Sequence, residues 1–234
     1  MITIYAHRGN MSQFPENTME SFKDAVKIGC PWLELDIRRS KDGVLVVTHD
    51  ENTLRVTNKN RLVAETNYSE LLELNFGDYH NNNQLYLLPT LEQVFYLIKN
   101  KTTKVSIQPK ENGLIHDVIN LAKKCGVYEQ IGFNDINCEY LIEAKLEDIK
   151  IPVCWDRLKN SNLNTDIAIA KQYKFDTLMY LNEAITREKI IAVKYEGINV
   201  GVCVVNDLIR FKEYRNAGAT HFYTDYPKEF LENI

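Results

Sequence analysis

WLELDIRRSKDGVLVVTHD, residues 32 to 50, is the stretch from which the rest of the chain is best read. Glu34 and Asp36 alternate with Leu33, Leu35 and Ile37, so a strand here sends both acids from the same face. Asp42-Gly43 is a strong turn signal, and the apolar run Val44 to Val47 follows it as the returning arm of a hairpin. A two-residue turn sets His49 opposite Asp36, whereas a four-residue loop sets it opposite Glu34. Both registers keep His49 on the face of the acids, because a slip of two residues preserves side-chain parity. Glu34, Asp36 and His49 are therefore expected to converge. A strand carrying Trp32, Leu33, Leu35 and Ile37 belongs to a core, and acids at the end of such a strand call for a cation or a substrate.

Upstream, the β-branched and aromatic run Ile2 to Ala6 stops abruptly at His7-Arg8-Gly9-Asn10. A histidine and an arginine at a strand end form a candidate general acid/base beside an anion clamp. Pro15 to Thr18 then opens a helix with Met19, Phe22, Ala25, Val26 and Cys30 at helical spacing, and Asn17 or Thr18 is its expected N-cap. Gly29 closes it before Trp32.

Downstream of Asp50 runs a polar excursion, Glu51 to Leu88, with too few apolar residues to promise a core of its own. We expect it to lie as an insertion over the C-terminal mouth of a barrel. Pro89-Thr90 starts a helix over Leu91 to Lys99. Strand and helix then alternate: Val105 to Pro109, Gln130 to Phe133, Ile151 to Trp155, Thr177 to Tyr180, Val200 to Val205 and Phe222 to Thr224 each lead into a helical segment or the tail. With the strands at Ile4 and Leu33 this makes eight parallel strands, the hairpin's returning arm standing apart. The predicted fold is α/β, a single (β/α)8 TIM-barrel domain over residues 1 to 234, with a small insertion at about 51 to 88 after the second-strand hairpin.

The chain has 234 residues, 44% of them hydrophobic and 26% charged, which are values of a globular protein. A net charge of −4 with no basic face argues against a nucleic-acid partner. The five cysteines form no C-x-x-C pair and fit reduced thiols in a cytosol. A strand-like run from Ile2 leaves no signal peptide, and no apolar stretch is long enough for stable membrane insertion. The expectation is a cytoplasmic protein; nothing in the pattern fixes its oligomeric state.

AHRGN near the start, PENTMESF with its helix, ELD followed by DG and THD, then LLPTLEQVF and AGATHFYTDYP run in order along essentially the whole chain. This set resembles the glycerophosphodiester phosphodiesterase family. The resemblance implies a (β/α)8 barrel that hydrolyses glycerophosphodiesters, small molecules, to glycerol 3-phosphate and an alcohol. It further implies His7 and His49 as the acid/base pair, Arg8 as a phosphate ligand, and Glu34 and Asp36 as ligands of a divalent cation. Carboxylate oxygens suit a hard cation, Ca²⁺ or Mg²⁺. Two histidines titrating near neutrality can take a proton from the attacking hydroxyl and give one to the leaving alkoxide.

Two departures stand out. Where the family's next strand usually ends in Glu-x-Lys, this chain reads VSIQPK. Gln108 then takes the place of a third metal ligand, offering a carbonyl oxygen without charge, and Lys110 that of a second phosphate contact. Cys203 and Val204 occupy a wall that is usually larger or more polar. The alternatives are a catalytically impaired barrel that binds a glycerophosphodiester or related anion, and a phosphodiesterase acting on lysophospholipids or a polymeric glycerol phosphate. Which histidine is the acid and which the base is left open.

Overall fold

The computed structural model describes residues 1–80 and 84–234; the asparagine run at 81–83, inside the expected insertion, lies outside them. The chain starts with β1 (Thr3–Ala6) and α1 (Met19–Lys27), followed by the hairpin of β2 (Trp32–Arg39) and β3 (Leu45–Val47). The excursion carries the short helices α2 (Leu54–Thr57) and α3 (Tyr68–Leu71), and α4 (Leu91–Ile98) brings the chain back. Strand and helix then alternate: β4 (Lys104–Pro109), α5 (Ile115–Cys125), β5 (Ile131–Asp135), α6 (Cys138–Glu147), β6 (Val153–Arg157) and α7 (Leu163–Tyr173). They continue through β7 (Thr177–Leu181), α8 (Arg187–Tyr195), β8 (Asn199–Cys203), α9 (Leu208–Ala217), β9 (His221–Thr224) and α10 (Pro227–Leu231).

The parallel strands pair in the order β1-β9-β8-β7-β6-β5-β4-β2, and β1 meets β2 through Tyr5 with Trp32 and Ala6 with Leu33. That last pairing closes the sheet into the eight-stranded barrel predicted from the alternation, and β3 hangs antiparallel on β2 outside it. Strand alternation sorts the side chains. Leu33, Leu35 and Ile37 pack outward with Phe22 and Phe95 in the main core. Tyr5, Cys154, Met179, Cys203 and Tyr223 fill the barrel's interior, so Cys203 serves packing. Each fully buried leucine or isoleucine contributes about 1.5–3 kcal/mol. Thr18 caps α1 by accepting the Ser21 N–H at 3.2 Å. Thr90 and Gln93 form a capping box on α4.

The hairpin register differs from both expected alternatives. Ile37 lies opposite Val47, Arg38 opposite Val46, and Arg39 opposite Leu45, one residue away from either. The reason is local. The Ser40 N–H donates to the Val44 carbonyl at 3.0 Å, leaving a three-residue loop, Lys41 to Gly43, in place of a tight two-residue turn. The Ser40 hydroxyl bridges Asp42 Oδ1 at 2.6 Å and the Val44 N–H at 3.0 Å, and Gly43 supplies the positive φ of 87° that the loop needs. A one-residue shift reverses parity. His49 therefore does not reach the acids by facing them across the ladder; β3 ends at Val47, and His49 lies on the loop beyond it.

The excursion also departs from expectation. Val56, Val63, Leu71, Leu74, Phe76 and Leu88 are buried together on Val46, forming a small second core. Its members are spread thinly along the sequence and gather only because β3 lends them Val46. Among the described residues no helix is long and apolar enough to cross a membrane.

Phe211 on α9 is fully buried, with its ring 4.8 Å from Phe222 on β9 and 4.7 Å from Phe230 on α10. These contacts clamp the last helices over the strand that meets β1. Phe211→Ala is expected to cost about 3–5 kcal/mol of unfolding free energy, measurable by urea denaturation.

Candidate active site

The barrel gathers six of the seven side chains singled out in the sequence at the C-terminal ends of β1, β2 and β4, and the loop after β3 adds the seventh. Glu34 and Asp36 leave the inner face of β2 and are 2% and 1% exposed. Asp36 stands beside Gln108 in the parallel register, as Glu34 stands beside Ser106. Two buried acids this close need compensation. Asp36 receives it: Arg8 Nε lies 3.1 Å from Oδ2, Lys110 Nζ 2.9 Å from Oδ1, and Asn17 Nδ2 donates to Oδ2 at 2.9 Å. Burial works to raise the Asp36 pKa, but the charges of Arg8 and Lys110 outweigh it and hold the group well below the usual carboxylate range. Glu34 has weaker support, the Arg8 backbone N–H at 3.2 Å and Asn134 Nδ2 at 3.4 Å. Burial, and then the charge of Asp36, leave its pKa raised.

Arg8 reaches this place through a turn that few residues adopt. Its φ is 52° and that of Gly9 is 88°. A Cβ on Gly9 would run into the side chain and backbone of Ser21, so the His-Arg-Gly turn needs its glycine for both conformation and space. The guanidinium also donates from Nη1 to Glu16 at 2.9 Å.

His7 Nδ1 lies 2.7 Å from Asp225 Oδ1, and Asn206 Nδ2 donates to the other Asp225 oxygen at 2.6 Å. Burial pulls the His7 pKa down, but the Asp225 hydrogen bond and the charge of Glu34 more than offset it, leaving it raised. His49 Nδ1 lies 2.7 Å from Asp50 Oδ1, and Arg38 Nε donates to the His49 carbonyl at 2.9 Å. Here burial wins over the attraction of Asp36, with Arg8 adding to it, and the pKa is lowered. One imidazole is thus biased toward its charged form and the other toward neutrality.

Several members of the arrangement escaped the sequence reading. Of the Pro-Glu-Asn-Thr cluster, expected to cap α1, only Thr18 does so. Asn17 binds Asp36, and Glu16 joins Arg8 to Arg55, whose Nη1 and Nη2 reach Glu16 at 2.6 and 2.7 Å. Arg55 Nε continues to Asp50 at 2.6 Å, so a chain of ion pairs runs from Arg8 through Glu16 and Arg55 to Asp50, which is hydrogen-bonded to His49. Asp50 was legible as the residue following His49, and Asp225 as the acid of the TDYP segment; nothing in the pattern around Arg55 announced it. Asn134 and Asp156, from β5 and β6, complete the floor of the mouth, with Asp156 5% exposed and its pKa pushed up to about 8 by burial and then by Glu34 and Asp135.

The donors suit a hard divalent cation. Glu34 and Asp36 offer carboxylate oxygens and Gln108 a carbonyl oxygen, and among the described residues Asp36 Oδ1 meets only the ammonium of Lys110, at 2.9 Å. Lys110 also donates to Gln108 Oε1, so a positive charge already lies between the two oxygens expected to bind metal. Among the described residues no three His, Cys, Asp or Glu side chains come together as a metal-holding set.

The glycerophosphoryl diester phosphodiesterase family model matches residues 7–229. Human lysophospholipase D GDPD1 is 28% identical over an alignment that spans 98% of this chain and 86% of the relative. A glycerophosphodiester phosphodiesterase of Caldanaerobacter subterraneus is 33% identical over 61% of each chain. Among solved structures, an Oleispira antarctica phosphodiesterase in complex with sn-glycerol-3-phosphate superposes with a TM-score of 0.87 at 23% identity, covering 98% of this chain and 95% of that one. With the family match spanning nearly the whole barrel, from the His7 turn to the final helix, the chain belongs to the glycerophosphoryl diester phosphodiesterase family.

Proposed function

We propose that the family's reaction, hydrolysis of a glycerophosphodiester to glycerol 3-phosphate and an alcohol, is carried out here with His49 as general base and His7 as general acid, in a cytoplasmic protein whose five cysteines are all free. The observation that carries this reading is the opposite bias of two histidines, each held at Nδ1 by its own carboxylate.

With Nδ1–H donated to Asp50, neutral His49 keeps a lone pair on Nε2 to take the proton of the attacking hydroxyl, whether of water or of the glycerol C2. His7, charged and held by Asp225, keeps an Nε2–H to give to the leaving alkoxide. Arg8 and Lys110, both already drawn to Asp36, present positive charge to the phosphate, and their fixed positions avoid reorganisation as charge develops. Glu34, Asp36 and the carbonyl oxygen of Gln108 are the proposed ligands of Ca²⁺ or Mg²⁺. When bound, that cation supplies further neutralisation of the phosphate oxygens.

Arrangement of both histidines favours a working enzyme over an impaired binding barrel. His7→Ala and His49→Ala are each expected to lower kcat for glycerophosphocholine by roughly 10²–10⁴, read as glycerol 3-phosphate released. Near-full activity in either variant would remove that residue from proton transfer. A base is active above its pKa and an acid below its own. The pH profile of kcat/KM should therefore rise through a value below 6.5, set by His49, and fall through one above 6.5, set by His7. Asp225→Asn removes the main support of the charged His7, so the descending limb should move to lower pH while the ascending limb stays; an unmoved descending limb would sink the assignment. Treatment with EDTA is expected to abolish release of choline from glycerophosphocholine and from lysophosphatidylcholine alike, and Ca²⁺ or Mg²⁺ to restore it for the preferred substrate; full turnover in EDTA would count against the metal.

A further inference from the structure

The two histidines are held alike, and the difference lies behind their carboxylates. His7 Nδ1 meets Asp225 Oδ1 at 2.7 Å, and the other oxygen of Asp225 accepts from Asn206 Nδ2 at 2.6 Å. His49 Nδ1 meets Asp50 Oδ1 at 2.7 Å, and the other oxygen of Asp50 accepts from Arg55 Nε at 2.6 Å. In both arrangements one carboxylate oxygen serves the ring and the second is tied to a third residue. Behind His7 that residue is a neutral amide; behind His49 it is a guanidinium.

The guanidinium is fixed from its far side as well. Arg55 Nη1 and Nη2 donate to the two oxygens of Glu16 at 2.6 and 2.7 Å, and Glu16, 7% exposed, also accepts from Arg8 Nη1 at 2.9 Å. All three nitrogens of Arg55 are thus engaged, in a planar fork that a lysine cannot reproduce. Arg8, Glu16, Arg55 and Asp50 carry two charges of each sign, so Asp50 has little negative charge left over for its histidine. Asp225 has no cation within ion-pair distance but His7 itself among the described residues. The remaining charges that face the rings come from the barrel: Asp36, Arg8 and Lys110 toward His49, and Glu34 and Arg8 toward His7.

We propose that Arg55 is a positioning residue for the proton acceptor. It ties Asp50 down by the oxygen that the ring does not use and cancels its charge. His49 is then oriented by a hydrogen bond without being held in its charged form. Asn206 makes the same tie behind His7 and leaves the charge of Asp225 standing. The proposal rests on the reading of His49 as general base and His7 as general acid.

The test follows the His49 ring by proton NMR titration in wild type, Arg55→Gln and Arg55→Lys, its signal identified among those of the five histidines by its absence in His49→Ala. The pH profile of kcat/KM for glycerophosphocholine is measured on the same proteins at low ionic strength and one Mg²⁺ concentration, each first checked by its melting transition. Arg55→Gln removes the charge. The midpoint of the His49 titration should then rise by about half a pH unit, a modest shift because the Arg55 side chain is 47% exposed and its field is screened. A base must be neutral to act, so the ascending limb should move to higher pH with the ring while the descending limb stays. Arg55→Lys keeps the charge but cannot grip Glu16 and Asp50 together; the midpoint should stay near that of wild type while kcat falls several-fold at little-changed KM. An unmoved midpoint in Arg55→Gln would overturn the proposal, as would a midpoint in Arg55→Lys displaced as far as in Arg55→Gln. If the midpoint rises in Arg55→Gln and the ascending limb does not follow, the reading of His49 as base fails instead. Should Arg55→Gln not fold, full wild-type kcat in Arg55→Lys is enough to overturn the proposal.

Discussion

An ionised carboxylate that is 1% exposed, Asp36, sets the terms for everything at the mouth of this barrel. Its charge is sustainable inside a protein only if donors surround it. The chain meets that demand from three directions: Arg8 from the turn after β1, Asn17 from the loop before α1, and Lys110 from the end of β4. The two basic groups proposed to meet the phosphate are thus the same two that make the acid affordable. On that proposal, phosphate binding and burial of Asp36 are one electrostatic arrangement.

The histidines show how one kind of side chain is biased in two directions. Each is hydrogen-bonded to a carboxylate at 2.7 Å, so the hydrogen bond alone does not distinguish them. The difference lies in what else faces each ring. His7 has Glu34 near it and Arg8 as the weaker influence, whereas burial of His49 outweighs the pull of Asp36. The proposed split into acid and base rests on these opposite biases, which sequence spacing could not reveal.

Much of this was legible in the sequence. Alternation in WLELDI placed Glu34 and Asp36 on one face, and the strand-helix rhythm gave the closed barrel, because both depend on local periodicity that tertiary packing preserved. The hairpin register was not legible: Ser40 uses its hydroxyl to build a three-residue loop, and that competes with the two-residue turn that Asp-Gly favours. Glu16 and Asn17 looked like helix-start residues because the same side chains that cap helices also bridge loops, and only Thr18 proved to be the cap. Arg55 and Asp156 carry no pattern of their own. Their partners come from distant segments, and long-range pairing leaves no periodic trace in one sequence.

The ion pairs from Arg8 through Glu16 and Arg55 to Asp50, and the hydrogen bond from Asp50 to His49, join parts of the molecule that rest on different cores. Arg8 and Glu16 belong to the barrel rim, but Arg55 sits on α2, in the excursion with its own small core. The orientation of the imidazole on the loop after β3 is therefore braced from outside the barrel. The excursion thus touches the site at two places, Arg55 by the charge it delivers and Tyr79, whose hydroxyl accepts the Glu16 N–H at 2.9 Å, while Leu71, Leu74, Phe76 and Leu88 close over Val46 beneath both.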